Sequence, residues 1–114
     1  MDIKTEKNIL TLNNKKIKFD HNIRQIDAYD DNVIILLEIP NNDNTLDNIY
    51  CYGQNGIIKW QVQSIKEAFP EMKNAFPFEQ MSIIDDKISA SDFYGRRFFI
   101  NIADGQIVGK DIVK

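Results

Sequence analysis

With 114 residues, 43% of them hydrophobic and 27% charged, the chain has the make-up of one ordinary globular domain, 1–114, which excludes a disordered polypeptide. No apolar run nears the roughly 20 residues that span a bilayer, and MDIKTEKNIL at the start lacks the apolar segment of a secretory signal. The lone cysteine, Cys51, excludes an internal disulfide framework, so a cytoplasmic address is expected.

The net charge of −3 is unevenly spread. Residues 1–20 hold five Lys against three acids, and residues 56–114 balance at eight of each sign. Between them, residues 21–55 set Asp27, Asp30, Asp31, Glu38, Asp43 and Asp47 against Arg24 alone. An acidic centre disfavours nucleic acid and anionic membranes and favours a basic partner through electrostatic steering.

The dominant hydrophobic period is two, the mark of strands. Residues 9–19, ILTLNNKKIKF, read as an N-terminal hairpin across Asn13-Asn14, because Asn tolerates the positive φ of tight turns. IRQIDAY (23–29) is a strand and Asp30-Asp31-Asn32 its turn. VIILLEI (33–39) is almost unbroken apolar sequence, rich in Val and Ile, which predicts a central strand covered on both faces. Pro40 ends it, and PNNDNTLDN (40–48) is a polar loop. Strands at 49–53 and 57–63 flank the Asn55-Gly56 turn.

Residues 64–79, SIKEAFPEMKNAFPFE, break the pattern. Ser64 and Glu67 have capping-box spacing, and Ile65, Phe69, Met72 and Phe76 share a helical face, yet Pro70 interrupts any long helix. A short helical turn or an ordered loop is expected. Strands resume at 81–85, 87–91, 96–101 and 106–113, joined at Asp85-Asp86, Gly95 and Asp104-Gly105.

The two halves echo each other. DDNV (30–33) matches DDKI (85–88), and Gly56 matches Gly105. Each half reads as an antiparallel four-strand meander, approximately 23–63 and 81–113. The fold expected is all-β: two blade-like meanders plus the N-terminal hairpin, about nine or ten strands in all, arranged as a bent sheet, a sandwich or an open barrel.

On these residues, IYCYGQNGIIKW (49–60) resembles the outer hairpin of a quinoprotein-type β-propeller blade, and FFINIADGQIV (98–108) is similar. Two blades cannot close a propeller, so that family's cofactor is not carried over. Over residues 30–110 the chain is also similar to short bacterial proteins of unknown role, through VIILLEI, IKWQ (58–61), FPF (76–78), FYGRRFF (93–99) and ADGQIV (103–108). These are turn and packing signatures, and they imply no particular chemistry.

A search for chemistry finds no catalytic constellation. His21 is the one candidate histidine base and stands alone in the turn FDHN, where an exposed turn residue is the simpler reading. Cys51, inside a strand among apolar neighbours, reads as core or as a mild surface thiol. The 40–48 loop lacks the order of a calcium loop and reads as a flexible connection. Neither a metal nor any other cofactor is expected. Arg96 and Arg97 among four aromatics suggest a stacking platform, but a pI near 5.1 argues against nucleic acid.

Two functions fit. The first is a non-enzymatic immunity protein that silences a cognate bacterial toxin, a basic protein partner, through an acidic surface. Its residues would be Asp30, Asp31, Glu38, Asp43 and Asp47, with Tyr50 or Tyr52 as aromatic anchor. The second is a ligand-binding or structural β module using a cleft between the halves, with AFPFEQM (75–81) as its lid. Oligomeric state is not legible.

Overall fold

The computed structural model describes residues 1–112. Among the described residues, eleven strands form three antiparallel sheets, each a simple meander. Sheet I holds β1 (Ile3–Glu6), β2 (Ile9–Leu12) and β3 (Lys15–Lys18). Sheet II holds β4 (Ile23–Tyr29), β5 (Asn32–Leu37), β6 (Ile49–Gly53) and β7 (Ile58–Gln61). Sheet III holds β8 (Phe78–Ile84), β9 (Lys87–Asp92), β10 (Arg96–Asn101) and β11 (Ile107–Ile112). The fold is all-β, and the two four-strand meanders fall where the internal repeat places them. The final residue of the 106–113 strand expected from sequence lies outside the described residues.

The sheets stack in chain order, and the alternation of β5 shows how. Val33, Ile35 and Leu37 pack with Leu10, Leu12 and Phe19 of the first sheet and its exit. Ile34 and Leu36, pointing the other way, pack with Ile88, Ala90, Phe98 and Ile100 of the third. A strand buried on both faces cannot alternate apolar with polar, which is why residues 33–37 are all apolar. On β6, Ile49 and Cys51 enter the II–III core while Tyr50 and Tyr52 lie against the I–II core. Cys51 is fully buried, and burial pushes its thiol up to about 11.

The outer sheets end the stack with a polar face on sheet I and a mixed one on sheet III, where Ile84, Phe99 and Val108 gather beside Ser89. In sheet I the residues opposite the core side include Lys4, Lys16 and Lys18, all exposed. In sheet III the outer rows carry Ser82, Ser89 and Ser91, with the Arg97 guanidinium over the Phe99 ring at 5.4 Å and bonded to Asp111 at 2.8 Å.

Three sequence expectations need correction. The N-terminal hairpin is a three-stranded sheet, because residues 3–6 add as an edge strand on β2; with one apolar residue, IKTE carries almost no alternation to reveal it. Ser64 is the N-cap of α1 (Ile65–Ala68) but makes no side-chain cap bond, and Glu67 accepts from Gln63 Nε2 at 3.1 Å. Finally, Ile65, Phe69 and Met72 reach the II–III core, whereas Phe76 packs at a tilt against Tyr94, with ring centroids 4.8 Å apart. Pro70 stops the helix after one turn, so the face cannot persist. Among the described residues no helix is long and apolar enough to cross a membrane.

Candidate functional site

The expected acidic residues divide between the two ends of the molecule. Asp31 and Glu38 flank β5, so the strand holds them roughly 20 Å apart at about 3.3 Å per residue. Asp30 and Asp31 belong to the end built of tight turns. There Asp30 and Asp86 adopt positive φ, the Gln54 N–H donates to the Asp31 carbonyl at 3.0 Å, and Tyr29 donates to Asp86. That hydrogen bond, with smaller contributions from burial and negative charge, pushes the Tyr29 hydroxyl up to about 12.

Glu38, Asp43 and Asp47 stay together at the opposite end, on the connection 38–48. The connection is ordered by its own side chains. The Asp43 carboxylate accepts from the Thr45 hydroxyl at 2.5 Å, the Thr45 N–H at 2.8 Å and His21 Nε2 at 2.7 Å. The Thr45 hydroxyl and then His21 hold that carboxyl down at about 2. His21 therefore ties the β3–β4 turn to the loop, a pairing across 22 residues of sequence. The polar loop is a fixed one, contrary to the flexible connection expected.

Its far side is anchored by Asn48, only 1% exposed. Asn48 Nδ2 donates to the Leu37 carbonyl at 2.8 Å and the Phe78 carbonyl at 2.9 Å, while its Oδ1 accepts the Phe78 N–H at 2.9 Å. One amide thus satisfies three backbone groups and joins sheet II to sheet III. Asp47 precedes it at φ 57, with Oδ1 buried and unpartnered; burial, then the Glu67 charge, pushes its carboxyl up.

More carboxylates gather at this end than the expected three. Asp20 influences Tyr50 and lines a cleft of about 210 Å³ with His21, Thr45, Asn48 and Tyr50. Glu79 shares Arg24 with Glu38, at 3.2 and 3.4 Å. These two additions come from segments distant from the loop and from each other, so no local run of acids announces them. Tyr50 and Tyr52 are half-buried against Phe19, with ring centroids at 5.6 and 5.8 Å, and burial pushes both hydroxyls up. Only Tyr50 reaches the acidic end, accepting from Gln61 Nε2 at 3.2 Å; Tyr52 serves the I–II core.

The arrangement can present fixed negative charge around a shallow cleft. Among the described residues no group of three His, Cys, Asp or Glu is placed to hold a metal ion.

Three stacked antiparallel meanders with an ordered acidic loop define the class of this protein. The family model described as a domain of unknown function (DUF7957) matches residues 1–112, and the chain belongs to that family. No curated protein matches the sequence.

Proposed function

We propose that the chain is a protein-binding module that neutralises a basic partner, and specifically an immunity protein against a cognate bacterial toxin domain. The observation that carries this reading is the ordering of the 38–48 connection. Asp43 is locked by His21 and Thr45, Asn48 ties the loop to sheet III, and Glu38 is held in the Arg24–Glu79 cluster. Carboxylates already fixed lose little conformational entropy when a partner binds them. A basic cleft, such as that of a nuclease, is the complement of this surface.

Glu38, Asp43, Asp47 and Asp20 supply the charge, and the Tyr50 edge the adjoining aromatic surface. Asp30 and Asp31, at the other end, are outside this face.

The test is neutralisation. The C-terminal portion of the product of the gene immediately upstream is expressed alone and together with this protein while growth is followed. Arrest alone and growth together are the expected results. Arrest without rescue, or no arrest, argues against the reading.

A further inference from the structure

A second surface depression lies at the short β9–β10 turn. A cleft of about 530 Å³ opens there, lined by Met72, Lys73, Asn74, Phe76, Tyr94 and Arg96. Its size falls within the roughly 300–1,000 Å³ typical of small-molecule sites. Most large aromatics in this chain are covered, but Tyr94 is 65% exposed and Phe93 74%. Phe93 meets Tyr94 edge-on at 5.4 Å, and Phe76 backs the same ring at 4.8 Å. An exposed ring supported from two sides is a ready-made stacking platform.

The polar groups around it are almost all donors. Asp92, with a fully buried side chain, turns Oδ1 to the N–H groups of Tyr94 and Arg96, at 2.9 and 3.1 Å, and Oδ2 to Arg96 Nε at 2.7 Å. Arg96 Nη2 donates to the Asn74 carbonyl at 3.1 Å, and the guanidinium lies over Phe76 at 5.1 Å. Both oxygens of the neighbouring carboxylate are thereby used, while Arg96 Nη1 is left without a partner among the described residues. Lys73, exposed beside it, makes no ion pair there either. A guanidinium fixed by two hydrogen bonds and a ring, with its third nitrogen free, is pre-oriented for an anion.

We infer that this cleft binds a small anion carrying a flat ring, an aromatic carboxylate or a phosphate monoester of nucleoside size. The ring lies on Tyr94 and Met72, and the anionic oxygens meet Arg96 Nη1 and the Lys73 ammonium. The site shares no residue with the acidic loop and stands or falls independently of the toxin reading.

The experiment is a titration of the full ¹⁵N-labelled chain, followed by backbone amide shifts. Two probes carry both ring and anion, AMP and 4-hydroxyphenylacetate; inorganic phosphate and adenosine carry one half each. Saturable shifts at Asn74, Tyr94, Gly95 and Arg96 are expected with at least one complete probe, and the preferred probe distinguishes phosphate from carboxylate. The half-probes should bind about tenfold or more weakly, the loss expected when a charge-assisted hydrogen bond or a stacked ring is missing. Lys73→Gln and Tyr94→Ala, both at exposed positions, should each weaken binding roughly fivefold to tenfold while leaving the melting temperature nearly unchanged. No shifts at these amides, equal affinity for half-probes, or indifference to both substitutions would overturn the assignment.

Discussion

At one end of the molecule two connections do the same topological job with different chemistry. Residues 38–48 link β5 to β6 in sheet II, and residues 93–95 link β9 to β10 in sheet III. Each depends on one buried polar side chain, Asn48 at 1% exposure and Asp92 at 4%. The amide both donates and accepts, so Asn48 can bridge two sheets through the backbone of Leu37 and Phe78. The carboxylate only accepts, so Asp92 works locally, gathering N–H groups of its own turn and the Arg96 guanidinium. The long connection therefore projects a fixed acidic loop away from a bridged base. The short one leaves Phe93 and Tyr94 in solvent beside a held arginine.

Near-isosteric exchange of these two residues probes that difference directly. Asn48→Asp removes both donors and sets a buried charge against two carbonyl oxygens, so it should cost about 3–5 kcal/mol in urea unfolding. Asp92→Asn keeps one acceptor for the Tyr94 and Arg96 N–H groups but turns an NH2 toward Arg96 Nε, losing that charge-assisted hydrogen bond, so about 2–3 kcal/mol is expected. Equal costs would mean that the two side chains act merely as volume.

The paired glycine turns sharpen the same comparison between sheets. Gly56 of sheet II and Gly105 of sheet III both have positive φ, and each turn packs on the sheet before it. A Cβ at Gly105 would sit 2.5 Å from the Trp60 ring, which is itself held by its Nε1 bond to the Ile102 carbonyl at 3.1 Å. A Cβ at Gly56 would sit 2.4 Å from Lys15 Cδ, part of an exposed, flexible side chain that can rotate aside. Gly56→Ala should therefore cost about 1 kcal/mol, the strain of the backbone alone, and Gly105→Ala about 2–3 kcal/mol, both read by thermal or urea melts.

The smallest effect concerns the loop itself. Asp43 is held at about 2 in the folded chain, below its usual 3.8. A depressed carboxyl stabilises the fold above its unfolded value, and that contribution disappears as pH falls through the folded value. The Thr45 amide shift should accordingly titrate near pH 2, with the loop losing order between about pH 4 and 2. In His21→Ala the midpoint should move upward toward the ordinary value.

Much of the scaffold was legible because its physics is local. The doubly covered strand showed in the unbroken run at 33–37, and the turns in Asn13, Asp30-Asp31, Gly56 and Gly105, where the backbone takes left-handed φ at Asn13, Asp30 and both glycines. The acidic loop was visible as composition, but its order was not. His21–Asp43 and Asn48–Phe78 join residues far apart in sequence, and nothing in FDHN or LDN specifies the partner. Asp30 and Asp31 were grouped with the loop because sequence proximity ignores the length of an intervening strand. Residues 93–99 set Arg96 and Arg97 among four aromatics, but nothing in that run tells that the β9–β10 turn carries Phe93 and Tyr94 beyond the sheet while Phe98 enters the core.

We propose that the ordered loop end, and not the turn end, is the partner surface. The decisive measurement is growth rescue from the proposed toxin domain, sought in the product of the gene immediately upstream, by two charge-reversed proteins, each first shown to melt like the parent. One carries Glu38→Lys with Asp43→Lys, the other Asp30→Lys with Asp31→Lys. Rescue lost with the first pair and kept with the second is the predicted result; rescue kept with the first and lost with the second would contradict the account.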